Sequence, residues 1–171
     1  MRPDLELHVD IASQRLSVES GGEEIASYPV STARNGAGEQ DGSFCTPRGR
    51  HRVAEKFGGD APLNAVFVGR AATGETWSPE LAIAHPDRDW ILTRILWLEG
   101  TEDGFNRGGA VDSRQRYIYI HGTPDSEPMG EPASHGCIRM RNADVVELFD
   151  FVPVGCPVII HERRFDRVGE Q

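Results

Sequence analysis

Ser134-His135-Gly136-Cys137-Ile138-Arg139-Met140, read with Ile120-His121-Gly122-Thr123 upstream, is the stretch on which the rest of the chain turns. It places one cysteine beside a glycine, between two histidines, with an arginine two residues on. A thiol is a poor nucleophile until a base or a local positive charge turns it into a thiolate. Imidazole is the side chain best matched to that task near neutral pH. His121 ends the alternating run Tyr117-Ile118-Tyr119-Ile120, which reads as a strand, so it is expected where a strand enters a loop. From Gly122 to Ala133 the chain carries Pro124, Pro128, Pro132 and Gly130, a composition that excludes helix and strand. Such a loop can fold back and bring Cys137 to His121.

Taken singly, each residue has a bland explanation: a lone cysteine is most often a small buried hydrophobe, and a lone histidine is most often structural. The combination is far more specific. His-Gly-Thr followed by Ser-His-Gly-Cys-Ile-Arg closely resembles the active-site signature of the YkuD family, the L,D-transpeptidase catalytic domain, and Ser134 through Arg139 match it at every position. Thr46-Pro47-Arg48-Gly49 resembles the segment of that family that leads into a core strand, as scaffold rather than chemistry. The resemblance spans roughly residues 5–160, although Phe57 to His85 carries little of the pattern.

The chain has 171 residues, enough for one domain (1–171), with a core over about 5–161 and a charged tail over 162–171. Its net charge of −9, without a block of Lys and Arg, argues against nucleic acid or an anionic membrane as partner. No stretch approaches the apolar length of a membrane-spanning helix. Met1-Arg2-Pro3-Asp4-Leu5-Glu6 enters alternating sequence without an apolar leader, so a chain starting here is expected in the cytoplasm, and a trimmed mature form in the periplasm.

Apolar residues alternating from Leu5 to Val18, then Gly21-Gly22, predict two strands and a turn, with a third strand from Ile25 to Val30. Ser31 to Ser43, with Asn35-Gly36 and Asp41-Gly42, is read as a loop. Val66-Phe67-Val68 and the apolar run Trp90 to Leu98 are further strands. If the latter underlies the cleft, as the family resemblance implies, Arg94 or Trp97 could face substrate; core packing of Trp90 and Trp97 is the simpler reading. Arg107, Arg114 and Arg116 are expected in solvent, with one of them able to line the cleft. Asn142 reads as a helix N-cap before Val145, Leu148, Phe149 and Val152 at helical spacing, and Pro153 with Gly155 ends the helix. Pro157 to His161 is a final, central strand. The fold class is therefore mainly β: a sandwich or distorted barrel of about eight short strands with one packed helix, the architecture the resemblance also implies. Three cysteines leave at least one unpaired, and Cys45 and Cys156 are expected free.

Chemically, Cys137 is the candidate nucleophile and His121 the candidate base. The resemblance implies that the Gly122 carbonyl orients His121. The amides of His135, Gly136 and Cys137 are candidates for an oxyanion hole, with glycine allowing the tight turn they need. His135 suits that turn better than the base role. Arg139 is a candidate for a substrate carboxylate, with Ser134 beside it; a surface pair with Asp144 or Glu147 is the plainer alternative. No cofactor or metal is called for. The implied substrate is a murein tetrapeptide or muropeptide, cut before its terminal D-alanine. A cytoplasmic chain would pass the acyl group to water, as an L,D-carboxypeptidase of murein recycling; an exported one would pass it to an amine, as a cross-linking L,D-transpeptidase. A zinc site built from His121, His135 and Cys137 lacks the paired ligand spacings of structural zinc. A non-catalytic murein-binding module would not need both Cys137 and His121.

Overall fold

The structure is a computed structural model and describes residues 4–164. The chain opens with β1 (Leu5–Asp10), β2 (Arg15–Ser20) and β3 (Glu23–Pro29), an antiparallel meander. In β1 the side chains of Leu5, Leu7 and Val9 are buried and those between them are not, as a period of two requires. β4 (Gly49–Phe57) follows the loop, then a hairpin of β5 (Ala65–Val68) and β6 (Ala71–Thr76), a short helix α1 (Pro79–Ala84), and β7 (Ile91–Gly100). β8 (Tyr119–Gly122), β9 (Ile138–Met140), α2 (Asn142–Phe151) and β10 (Pro157–His161) complete the fold.

All ten strands belong to one mixed sheet, in the order β3-β2-β1-β10-β4-β7-β5-β6, with β8 and β9 branching from β7. The sheet does not close. β7 makes this possible. Residues 95–97 pair with β4 on one edge and with β8 on the other, while Ile91 and Leu92 pair with β5. Between Leu92 and Ile95 the register shifts at Thr93, whose φ of 74° is left-handed and marks a bulge. β7 is buried along most of its length, which is why its sequence is largely apolar rather than a strict alternation.

The two halves of the sheet share a core. Leu7, Val9, Leu16, Val18, Val158 and Ile160 meet Ile120, Ile138, Met140, Val145 and Leu148 in a single buried cluster. α2 closes it, and Lys56 donates to the Phe149 and Val152 carbonyls at 2.7 and 2.8 Å, placing a cation at the helix C-terminus.

The mainly β reading holds, with ten strands where about eight are expected and α1 beside α2. β6 escaped notice because it is polar and exposed almost throughout, and β9 because it has three residues. Asn142 is not the cap of α2: that position falls on Arg141, with no side-chain hydrogen bond. Asn142 is instead buried, accepting from the Thr93 hydroxyl at 2.5 Å and donating to Asn64 and Asp125. The loop from Ser31 is partly ordered, since Ser31 exchanges two backbone hydrogen bonds with Arg139. Cys45, Cys137 and Cys156 are all free. Of the charged tail, residues 165–171 lie outside the described residues.

Candidate active site

The site is built on β8 and β9, which run parallel in the register Ile120 to Ile138, His121 to Arg139 and Gly122 to Met140. His121 therefore sits near the end of β8, one residue before the strand gives way to the loop at Thr123, as the alternating run predicts. Tyr117, with φ 58°, is the turn that precedes β8. Cys137 stands immediately before β9, at the end of a tight turn. Gly136 has φ 135°, a conformation that favours glycine, and a Cβ there would approach the Cys45 carbonyl to 3.3 Å. Ser134 braces this turn from inside: its hydroxyl donates to the Cys137 carbonyl at 2.6 Å and accepts from the Gly136 amide at 3.2 Å. Thr46 braces it from outside by donating to the Gly136 carbonyl at 2.8 Å. The Thr46-Pro47 segment thus reaches the nucleophile's turn directly.

The thiol of Cys137 donates to the Tyr117 carbonyl at 3.3 Å, and its sulfur accepts the Tyr119 amide at 3.4 Å. Burial pushes this thiol up to about 12; the Tyr119 amide, Arg139 and Arg116 oppose the shift, while Asp89 adds to it. His121 is 1% exposed, and burial lowers its basicity. Its Nδ1 lies 2.6 Å from the Gly122 carbonyl. A carbonyl can only accept, so Nδ1 carries the proton and Nε2 presents a lone pair. At rest the site holds a neutral thiol and a neutral imidazole.

Cys137 and His121 line one cleft of about 490 Å³ together with Ser134, His135, Arg139, Asp89, Arg70 and Tyr119. Arg139 is 10% exposed and pairs with Asp89 at 3.0 Å; Asp144 and Glu147 are not its partners. His135 is 63% exposed, 3.7 Å from the other oxygen of Asp89. A second hollow of about 480 Å³ adjoins the first across Asp89, Ser134 and His135, and is lined also by Arg34, Asn35 and Phe44. Among the described residues no three of His, Cys, Asp and Glu are grouped as a metal would require. A further hollow of about 900 Å³ lies over the outer face of β1 and β2 and has no cysteine in its lining.

Arg94 points away from the cleft and donates to the Ala61 and Thr93 carbonyls, while Trp90 is core. Trp97 is half-buried against Tyr117 and Tyr119 beside the cleft. Arg116 lines the cleft, with donors on the Cys45, Gly38 and Glu39 carbonyls. Asp89 and Arg70 are cleft residues that sequence reasoning missed. Arg70 is a lone charged residue in a turn and Asp89 ends the charged run Asp87-Arg88-Asp89 in a loop, where no periodicity points. The one available signal was the strand, Gly69-Arg70, strand pattern of a two-residue hairpin.

The family model for YkuD, L,D-transpeptidase catalytic domain, matches residues 4–160. The chain is 49% identical over 104 residues to the probable L,D-transpeptidase YbiS of Escherichia coli K12, covering 60% of this chain and 34% of that protein. It is 47% identical over 69 residues to the putative L,D-transpeptidase YqjB of Bacillus subtilis, covering 39% and 37%. The matched stretch thus spans about a third of each of these relatives. Among solved structures, L,D-transpeptidase 3 from Mycobacterium tuberculosis superposes with a TM-score of 0.57 at 20% identity, over 94% of this chain and 62% of that one. An L,D-transpeptidase from Mycobacterium smegmatis gives 0.54 at 22%, over 92% and 58%. These structures share the fold. No helix among the described residues is long and apolar enough to cross a membrane.

Proposed function

The chain belongs to the YkuD family of L,D-transpeptidase catalytic domains, and from that premise we propose that it is a cysteine acyl-transfer enzyme of murein stem peptides. It attacks the bond between the third residue and the terminal D-alanine of a tetrapeptide and passes the acyl group to water, as an L,D-carboxypeptidase. The observation that carries the reading is the Cys137 thiol in one cleft with an imidazole whose Nδ1 is fixed by the Gly122 carbonyl.

His121 Nε2 takes the thiol proton as sulfur attacks the scissile carbonyl. Because both groups are neutral at rest, that transfer accompanies substrate binding rather than preceding it. The tetrahedral oxyanion is assigned to the amides of the Ser134–Cys137 turn. Gly136 already donates to Ser134, so His135 and Cys137 carry most of that assignment; one such donor contributes about 3–4 kcal/mol to the transition state. The C–N bond breaks, D-alanine leaves with the proton from His121, and a thioester remains. Water then adds, His121 takes its proton, and the C–S bond breaks to return the thiol. Ser134 serves by holding the turn. Arg139 meets the peptide as half of an ion pair with Asp89.

The adjoining hollow lined by Arg34, Asn35 and Phe44 favours a second reading, in which an amine from another stem replaces water and a cross-link forms. Mass spectrometry of purified protein with tetrapeptide separates the two. Tripeptide plus free D-alanine is expected. Cross-linked dimers as the main product would make the enzyme a transpeptidase, and cleavage confined to the D,D bond of a pentapeptide would remove it from the L,D class.

A further inference from the structure

Three arginines line the catalytic cleft, and they differ in what their donors already do. Arg139 holds Asp89 and the Ala133 carbonyl. Arg116 donates to three backbone carbonyls. Arg70 makes one hydrogen bond among the described residues, to the Tyr119 hydroxyl at 2.9 Å, and enters no ion pair there. A guanidinium has five donors in a planar fork. Most of that fork is left over in Arg70, and the carboxylate that acts on its charge, Glu55, is itself paired with Arg114.

The position is also held under local constraint. Gly69 and Arg70 form the two-residue turn between β5 and β6, with φ of 56° and 69°. Both central residues of such a turn take left-handed backbone, where glycine, asparagine or aspartate is the ordinary choice. Arginine there is unfavourable for the hairpin itself. What the arginine gains is a seat over aromatic rings: its guanidinium carbon lies 4.3 Å from the centre of the Trp97 ring and 5.3 Å from that of Tyr117. Tyr119 ties this seat to the nucleophile, since its amide donates to the Cys137 sulfur and its hydroxyl accepts from Arg70. The free fork therefore stands one tyrosine side chain from the attacking atom, the range at which a residue just beyond the scissile bond presents its carboxylate.

We propose that Arg70 is the specificity residue that grips the terminal carboxylate of the departing amino acid, so that peptides with a free C-terminus are selected over longer or amidated ones. The proposal rests on reading the cleft as the site of acyl transfer at the last peptide bond. Arg139, already paired, is the wall of the cleft rather than the clamp.

The test uses a murein tetrapeptide with a free terminal carboxylate and the same peptide with a terminal amide. Binding is measured by calorimetry to the Cys137→Ala protein, and turnover is measured with intact Cys137. With Arg70 present the acid should bind about 10- to 100-fold tighter than the amide, the range of a charge-assisted bidentate contact. Arg70→Gly, which suits the turn, should bring the acid to the affinity of the amide, and Arg70→Lys should keep part of the preference. The turnover preference, read as KM, should follow the same order. An acid preference that survives Arg70→Gly would overturn the proposal and give the carboxylate to Arg116 or Arg139. Absence of any preference with Arg70 present would overturn it as well. An acid preference in binding without turnover by the intact protein would sink the acyl-transfer reading and leave the clamp standing. A peptide that neither binds nor reacts would sink both.

Discussion

At the scale of single residues, the resting state of Cys137 and His121 decides how the site responds to pH. Burial holds the thiol protonated, up to about 12, and holds the imidazole neutral. The thiolate fraction of the free enzyme should therefore keep rising with pH through the whole alkaline range. Alkylation of Cys137 by iodoacetamide is expected to accelerate continuously to at least about pH 9; a plateau near neutrality would mean a standing thiolate–imidazolium pair instead. Cys137→Ala should abolish turnover and leave the circular-dichroism spectrum native, and residual turnover at a tenth of the original rate would remove it from the nucleophile's role. His121→Ala is expected to cost at least 100-fold in kcat, the range of general-base catalysis. His135→Ala should cost less, because that side chain is exposed and rests against Asp89 and the edge of Phe44. Reversed magnitudes would exchange the two roles.

At the scale of elements, the catalytic geometry depends on how closely β8 can lie against β7. Gly122 is glycine for want of space rather than for its backbone angle: a Cβ there would stand 2.6 Å from the Leu92 carbonyl and 2.5 Å from the Asn142 side chain. Gly122→Ala must push β8 away from the β7 bulge and swing the carbonyl that holds His121. A loss of about 1–3 kcal/mol in unfolding free energy is expected from overpacking, with a fall in kcat larger than that of a distant substitution of equal cost. Chemical denaturation paired with kinetics checks both, and normal kcat in a destabilised protein would free Gly122 from any part in catalysis. Much of this region was legible beforehand. Alternation gave β1 and β2, the apolar run gave β7, and the Ser134–Arg139 string gave the nucleophile's turn. Asn142 was misread because a buried asparagine joining β7 to two loops and a capping asparagine look alike in sequence. Arg70 and Asp89 were illegible because their meaning arises from which loops the sheet brings together, and no local pattern encodes that.

At the scale of the whole molecule, stability should fall on the acid side. His51 is buried, with Nδ1 on the Gly49 carbonyl at 3.0 Å and Nε2 on the Ser113 hydroxyl at 2.8 Å, and burial lowers its pKa to about 4. An unfolded histidine titrates near about 6.5. Below that value the unfolded chain takes up a proton that the folded chain refuses, so the contribution of His51 is complete above about 6.5 and is lost as pH falls toward about 4, at about 1.4 kcal/mol per pH unit. His121 and His161 are lowered in the same direction. Calorimetric melts should show Tm falling steadily between about pH 7 and 5, with a shallower slope in His51→Gln; an unchanged slope would mean that His51 titrates alike in both states. The mainly β character was readable from the chain, but the single continuous sheet was not, because it follows from non-local pairing. The most non-local of these pairings has a consequence for biosynthesis. β10 lies between β1 and β4, so among the described residues β1, β2 and β3 join the rest of the sheet only through a strand that follows His121 and Cys137 in the chain. A nascent polypeptide on the ribosome carries Cys137 and His121 before β10 has emerged, so the sheet that frames their cleft is divided until residue 161 is made. A protein that ends before Pro157 is expected to lose turnover although it keeps both residues, and retained turnover in an assay of that truncation would show that the frame holds without β10.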